Sequence, residues 1–313
     1  YVLLFGEVIS KRWENYYQLP GTTLTAPHHV CSVPYAIAMN WLLDKLGANK
    51  INWDPHTLKK RLGFIGEPVT LGLVLGLLIG ILGNMNNLAT LEGWGTVFGV
   101  GLATAAVMAV FPKVAGIFAS AFTSLPNASK KTAKGSDKGR TWMLSVNDAV
   151  GYGEPATLIT GLMLIPIMVV LAMVLPGNET LPLVDLIALP YMVEMIICVS
   201  KGNVFKGLIS GAIWFTIGLY VCTFTAPYFT EVATQVGVTI PEGAMLITSF
   251  GILNNPVMAL LFLVFLSGNY FLMGGVIVLY FVLYALFKRN KERVWSFLEG
   301  ETTKTENGEK VVA

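Results

Sequence analysis

Long apolar runs separated by short polar stretches dominate this chain. A helix that crosses a bilayer needs roughly 20 mainly apolar residues. Windows of that kind run from Val69 to Met85, Trp94 to Phe111, Ala156 to Leu175, Leu183 to Ser200 and Leu208 to Phe229. The first two are short and rich in glycine. A longer apolar tract, Ala244 to Phe287, is enough for one span plus a segment that need not cross. Inside it lies Gly251-Ile252-Leu253-Asn254-Asn255-Pro256. Proline removes a helix hydrogen bond, and broken backbone at membrane depth is tolerated only where protein or a wet cavity surrounds it. The segment reads either as a re-entrant dip that carries a site or as an interfacial loop between two ordinary helices.

The pattern also repeats. Gly63-Phe64-Ile65-Gly66-Glu67-Pro68-Val69-Thr70 opens the first complete apolar window, and Gly151-Tyr152-Gly153-Glu154-Pro155-Ala156-Thr157 opens the third. Both place an aromatic residue before Gly-Glu-Pro, a small apolar residue, Thr and a long apolar run. Their equivalent placement predicts a structural repeat of the kind that brackets transporter substrates near the midplane. The expected fold class is therefore an all-α polytopic membrane protein, a transmembrane helix bundle with internal repeats and helix-breaking or re-entrant segments.

Composition agrees, with 54% hydrophobic and 13% charged residues against about a quarter charged in a soluble domain. The net charge of +2 and the scatter of basic residues through loops exclude a nucleic-acid partner. Lys and Arg in short loops favour the cytoplasm. Lys45, Lys50, Lys59, Lys60 and Arg61 form one cluster; Lys130, Lys131, Lys134, Lys138 and Arg140 form a second; Lys201 and Lys206 form a third. Two windows separate each successive pair, so all three fall on one side. Lys288, Arg289, Lys291 and Arg293 join them only if the stretch after Lys206 crosses an even number of times. Part of Ala244 to Phe265 is therefore expected to dip in and return.

Residues 1–66 read as the end of an interrupted span, an interfacial segment with Pro27-His28 and a cytoplasmic basic loop. Residues 67–125 form the transmembrane hairpin of the first visible repeat, and 126–150 a polar basic loop. Residues 151–287 form the bundle of the second repeat, broken near 251–256, and 288–313 a polar cytoplasmic tail. The apolar start at Tyr1 carries no signal-peptide pattern, and a further amino-terminal part is expected.

Candidate chemistry is sparse. In Gly-Glu-Pro, glycine admits close backbone approach, proline breaks the helix and the carboxylate accepts hydrogen bonds from hydroxyls. Glu67 and Glu154 thus fit a catalytic and substrate-binding role beside Pro68 and Pro155. They equally fit helix amino-terminal caps, and the two roles are compatible. His28 and His29 are the only paired histidines, suited to binding a hydroxylated ligand or to an interfacial turn. Asp148 and Asn254 join the substrate-binding candidates. Glu194 suits a polar contact between helices as well as a ligand contact. No zinc-type spacing occurs, so neither a metal nor a cofactor is expected. Cys198 and Cys222 sit in apolar windows as small hydrophobes, and Cys31 has no evident electropositive setting.

Pro27-His28, Asn40-Trp41-Leu42-Leu43-Asp44-Lys45, Arg61 to Pro68, Val174-Leu175-Pro176-Gly177-Asn178, Leu181-Pro182-Leu183-Val184-Asp185 and Lys201-Gly202-Asn203-Val204-Phe205-Lys206 occur in step along the chain. In that order they resemble the galactitol-type membrane (IIC) permeases of the bacterial phosphoenolpyruvate-dependent phosphotransferase system, related to the ascorbate-type permeases. The resemblance implies a multi-pass inner-membrane homodimer with further spans before Tyr1. It also implies transport of a small polyol or sugar, coupled to phosphorylation by IIA and a phosphocysteine IIB partner. The chain departs from many relatives in placing His29 after Pro-His. An ion-coupled secondary transporter that releases unmodified substrate is the alternative. A membrane scaffold or intramembrane enzyme is disfavoured by the scarcity of nucleophile–base pairs and by the helix-breaking repeats.

Overall fold

The computed structural model of the chain describes residues 1–51, 53–133, 143–147, 149–182, 185–240, 242, 244–299, 303–304 and 310–311. Helices dominate: α1 (Val2–Tyr17), α2 (Pro27–Val30), α3 (Val33–Lys45), α4 (Pro55–Leu62), α5 (Pro68–Gly83), α6 (Leu91–Ala133), α7 (Ala149–Tyr152) and α8 (Pro155–Val174). They continue with α9 (Leu189–Met192), α10 (Glu194–Val199), α11 (Val204–Gln235), α12 (Phe250–Leu253), α13 (Pro256–Leu266), α14 (Tyr270–Arg289) and α15 (Lys291–Glu299). Among the described residues four helices are long and apolar enough to cross a membrane: Leu91–Val114, Pro155–Val174, Val204–Gln235 and Tyr270–Arg289.

Local chemistry starts these helices. The side chains of Asn203, Asn255 and Asn269 accept N–H groups in the first turns of α11, α13 and α14. Such caps satisfy donors that would otherwise be orphaned at a helix amino terminus. α5 and α6 form a long hairpin joined through a glycine stripe. A Cβ at Gly76 would stand 2.8 Å from the Gly101 Cα, and one at Gly80 would stand 2.9 Å from the Val97 Cα. Small residues let helix backbones approach closely where lipid provides no hydrophobic drive between them. α6 runs on through Lys130 and Lys131, so the first part of the expected 126–150 loop is helical.

The window Leu183 to Ser200, expected to cross as one helix, does not. After residues 183–184 it breaks into a 3-10 turn at Asp185–Ala188, then α9 and α10, and every residue from Met192 to Ser200 is buried. Pro190 cannot continue a helix hydrogen-bond ladder, and its ring is packed against Gly161 of α8, where a Cβ would lie 2.3 Å from the Pro190 Cα. Its apolarity serves protein packing rather than lipid. The core lies around this broken stretch and includes Trp13, Leu158, Leu164, Met168, Met192 and Phe215, all fully buried.

The chain reverses at Asn254-Asn255-Pro256. Ile247 donates its N–H to Thr230 Oγ1 at 2.9 Å, and a Cβ at Gly218 would stand 2.8 Å from the Asn254 Cβ. α13 then climbs back along α11, with the Phe262 and Phe229 rings 6.4 Å apart. The tract therefore enters beside Thr230, reaches the level of Gly218 and returns. α14 is long enough to cross, and at its end Lys288 and Lys291 reach Glu7 at 2.6 and 3.0 Å. Lys201 donates to the Glu299 carbonyl at 3.0 Å. Lys201 and Lys288–Lys291 thus lie at one end of the bundle.

Candidate functional site

Two short strands position the polar centre. β1 (Thr22–Leu24) pairs in parallel with β2 (Leu144–Val146), Thr22 opposite Leu144. Because the strands are parallel, the chain leaves both in one direction. β1 feeds α2 with His28 and His29, and β2 feeds α7 with the second Gly-Glu-Pro.

Where they meet, His29 Nδ1 lies 3.5 Å from Glu194 Oε2, and both side chains are fully buried. The His28 and His29 rings are 4.0 Å apart. A Cβ at Gly151 would fall 1.5 Å from Glu194 Oε1, so only glycine at the head of the second motif leaves room for this carboxylate. The Tyr17 hydroxyl donates to the Glu194 carbonyl at 3.4 Å and lies 3.5 Å from Thr157 Oγ1.

Glu154 sits beside this centre as the amino-terminal cap of α8, with Pro155 in the first turn. Its carboxylate accepts from the Ala156 and Thr157 N–H groups at 2.9 and 2.8 Å and from the Thr157 hydroxyl at 2.9 Å. The Tyr16 hydroxyl donates to it as well. Burial raises its carboxyl above the ordinary range, and these hydrogen bonds pull it down less than burial pushes it up. The same burial raises the Tyr16 hydroxyl, which keeps it a donor.

Glu67 has a different setting on the same backbone. Its φ and ψ of −74° and 133° match the −73° and 130° of Glu154, and Pro68 opens α5 as Pro155 opens α8. Its side chain caps nothing and pairs with exposed Lys59 at 3.1 Å. Asn254, 1% exposed, donates to Met192 Sδ at 3.7 Å, and α12 packs against α2. The structure thus brings together His28, His29, Glu154, Pro155 and Glu194, with Asn254 on the adjoining α12. Glu67 and Pro68 lie at the start of α5. Asp148 lies outside the described residues.

Tyr16, Tyr17 and Thr157 were not singled out from sequence. Thr157 had a signal, since it closes the Gly-Glu-Pro-Ala-Thr motif. The two tyrosines had none, because α1 meets α8 and α10 only through the tertiary fold. The three cysteines are all buried, and burial pushes the Cys31 thiol up to about 11.

The family model described as the phosphotransferase-system (PTS) sugar-specific permease component matches residues 1–243. The chain is 34% identical over 236 residues to an Escherichia coli K12 protein named as a permease IIC component, which covers 75% of this chain and 52% of that protein. It is 29% identical over 240 residues to the PTS system galactitol-specific EIIC component of the same strain, covering 76% and 51%. The chain spans about half the length of these relatives. No solved structure matches it.

Proposed function

The chain belongs to the sugar-specific permease component family of the phosphotransferase system, and from that premise we propose that it carries a small polyol or sugar, galactitol or a relative, across the bacterial inner membrane. The full protein is a multi-pass homodimer that works with IIA and a IIB partner bearing phosphate on cysteine. The basic ends at Lys59–Arg61, Lys130–Lys138 and Lys288–Arg293 face the cytoplasm.

The observation that carries the catalytic assignment is the setting of Glu154, part-buried at the head of α8, where the Tyr16 hydroxyl donates to it and Thr157 links it through the Tyr17 hydroxyl to Glu194. A carboxyl raised by burial is a stronger base than an exposed one. Glu154 accepts the proton of the attacking substrate hydroxyl as that oxygen bonds to phosphorus, the phosphorus–sulfur bond breaks and the IIB thiolate leaves. His28 and Asn254 orient the substrate hydroxyls, with Asp148 supplying a further acceptor. Pro68 and Pro155 hold the two helix starts open. Glu67 is the repeat-related partner of Glu154 and joins the site as the repeats move.

The buried His29–Glu194 pair favours one second reading, a proton-coupled transporter that releases unmodified substrate. Vesicles carrying the full-length protein, with purified IIA and IIB supplied, separate the two. The permease reading expects phosphorylated galactitol only when IIB is present. Accumulation of unmodified substrate without IIB selects the proton-coupled reading.

A further inference from the structure

A cavity of about 670 Å³ lies at the end of the bundle opposite Glu154. Val204 donates its N–H to the Trp53 carbonyl at the near end of α11, whereas Thr223 lines the cavity. At 1.5 Å per residue these two points are about 28 Å apart. The Tyr220 hydroxyl reaches the Pro176 carbonyl at 3.0 Å, which ties this level to the far end of α8.

Glu179, Thr180, Asp185 and Thr223 supply the polar wall, with Leu246 and Phe250 across from them. Thr180 Oγ1 lies 3.0 Å from Thr223 Oγ1, and Asp185 Oδ2 accepts the Gly251 N–H at 3.1 Å. None of the described lining residues is basic. Two carboxylates and no cation repel an anion, so a phosphorylated sugar is the wrong occupant. A neutral polyhydroxylated molecule is the right one, because each hydroxyl can donate to a carboxylate and accept from a threonine.

Phe250 is both part of the cavity lining and the first residue of α12, which also packs against α2, the helix that carries His28 and His29. This single helical turn therefore touches both the cavity and the helix of the buried centre. At its end Asn254 Oδ1 and Asn255 Nδ2 are buried without hydrogen-bond partners, one an acceptor and one a donor. Unmet buried polar groups destabilise this arrangement, and adjacent substrate hydroxyls would satisfy both.

We propose that this cavity is the access site for unphosphorylated substrate, a neutral polyol or sugar, and that α12 is the partition it passes to reach His28 and Glu154. The proposal rests on the permease reading. It is tested in the full-length protein with these three buried cysteines, and every other cysteine of the longer chain, replaced by alanine and a single cysteine placed at Leu246. A membrane-impermeant maleimide added outside intact cells should label it, and galactitol should slow the labelling. Thr223→Val should raise the half-protecting galactitol concentration about two- to tenfold, the effect of one hydrogen bond. If the Leu246→Cys protein does not reach the membrane, Leu181→Cys, also on the cavity wall, takes its place. Galactitol phosphorylation in inverted vesicles is followed in parallel. Protection without phosphorylation supports the cavity and counts against the coupling alone. Normal phosphorylation with no protection by galactitol or sorbitol overturns the access site and leaves the permease reading standing, as does labelling only from the inside. Protection by calcium or sodium salts but not by polyols also overturns it.

Discussion

His29 Nδ1 and Glu194 Oε2 stand 3.5 Å apart with both side chains sealed from solvent, which joins α2 to α10 by a potential ion pair. A charge left behind when its buried partner is removed is far more destabilising than a lost neutral contact. His29→Leu is expected to lower stability by about 3 kcal/mol, and Glu194→Gln, which faces the imidazole with an amide, by about 1 kcal/mol. Thermal unfolding in detergent reads the order, and equal losses would show that the two do not act as a charge pair.

Gly151→Ala drives a methyl group into the Glu194 carboxylate. The variant is expected to unfold at markedly lower temperature and to reach the membrane poorly. Adding Glu194→Ala removes the obstructing oxygen and should recover part of the loss, a coupling that a double-mutant cycle measures. Independent, additive effects of the two substitutions would contradict the contact.

Glu154→Gln keeps size and part of the cap but removes the charge. Substrate phosphorylation by the full-length protein should fall by at least about a hundredfold, the usual contribution of a general base, with amounts in the membrane little changed. Glu67→Gln breaks an exposed pair with Lys59, so its stability effect stays within about 1 kcal/mol. A fall in phosphorylation from Glu67→Gln would place this carboxylate in the working site. Near-normal phosphorylation in both variants would reduce the two carboxylates to structural roles.

Glu7 ties α1 to α14 and α15. Burial works to raise its carboxyl, but hydrogen bonds and charge from Lys288 and Lys291 outweigh it and hold the group below the ordinary carboxylate range. A depressed carboxyl stabilises the fold above its unfolded value of about 4.3 and loses that contribution as pH falls through the folded value. Acid should therefore loosen α15 in the wild-type protein, and Glu7→Gln should remove this part of the pH dependence. Proteolysis of the carboxy-terminal segment as a function of pH measures it; identical profiles in the two proteins would show that Glu7 does not fasten the tail.

Much of the architecture follows from local sequence alone. Apolar windows announced the membrane character, and Gly-Glu-Pro marked two helix starts, because caps and proline breaks act within a few residues. Asn254-Asn255-Pro256 marked a break for the same reason. Hydropathy misread Leu183 to Ser200, since burial in protein and burial in lipid both take apolar surface from water and leave the same composition. The tertiary structure alone decided that the Glu154 side chain caps its helix and meets Tyr16 while Glu67, in the same motif with the same backbone angles, pairs with Lys59. It also decided that Gly151 must yield its space to Glu194, and that β1 and β2 bring His29 to that carboxylate. Those relationships join residues far apart in the chain, and periodicity and capping carry information only about near neighbours.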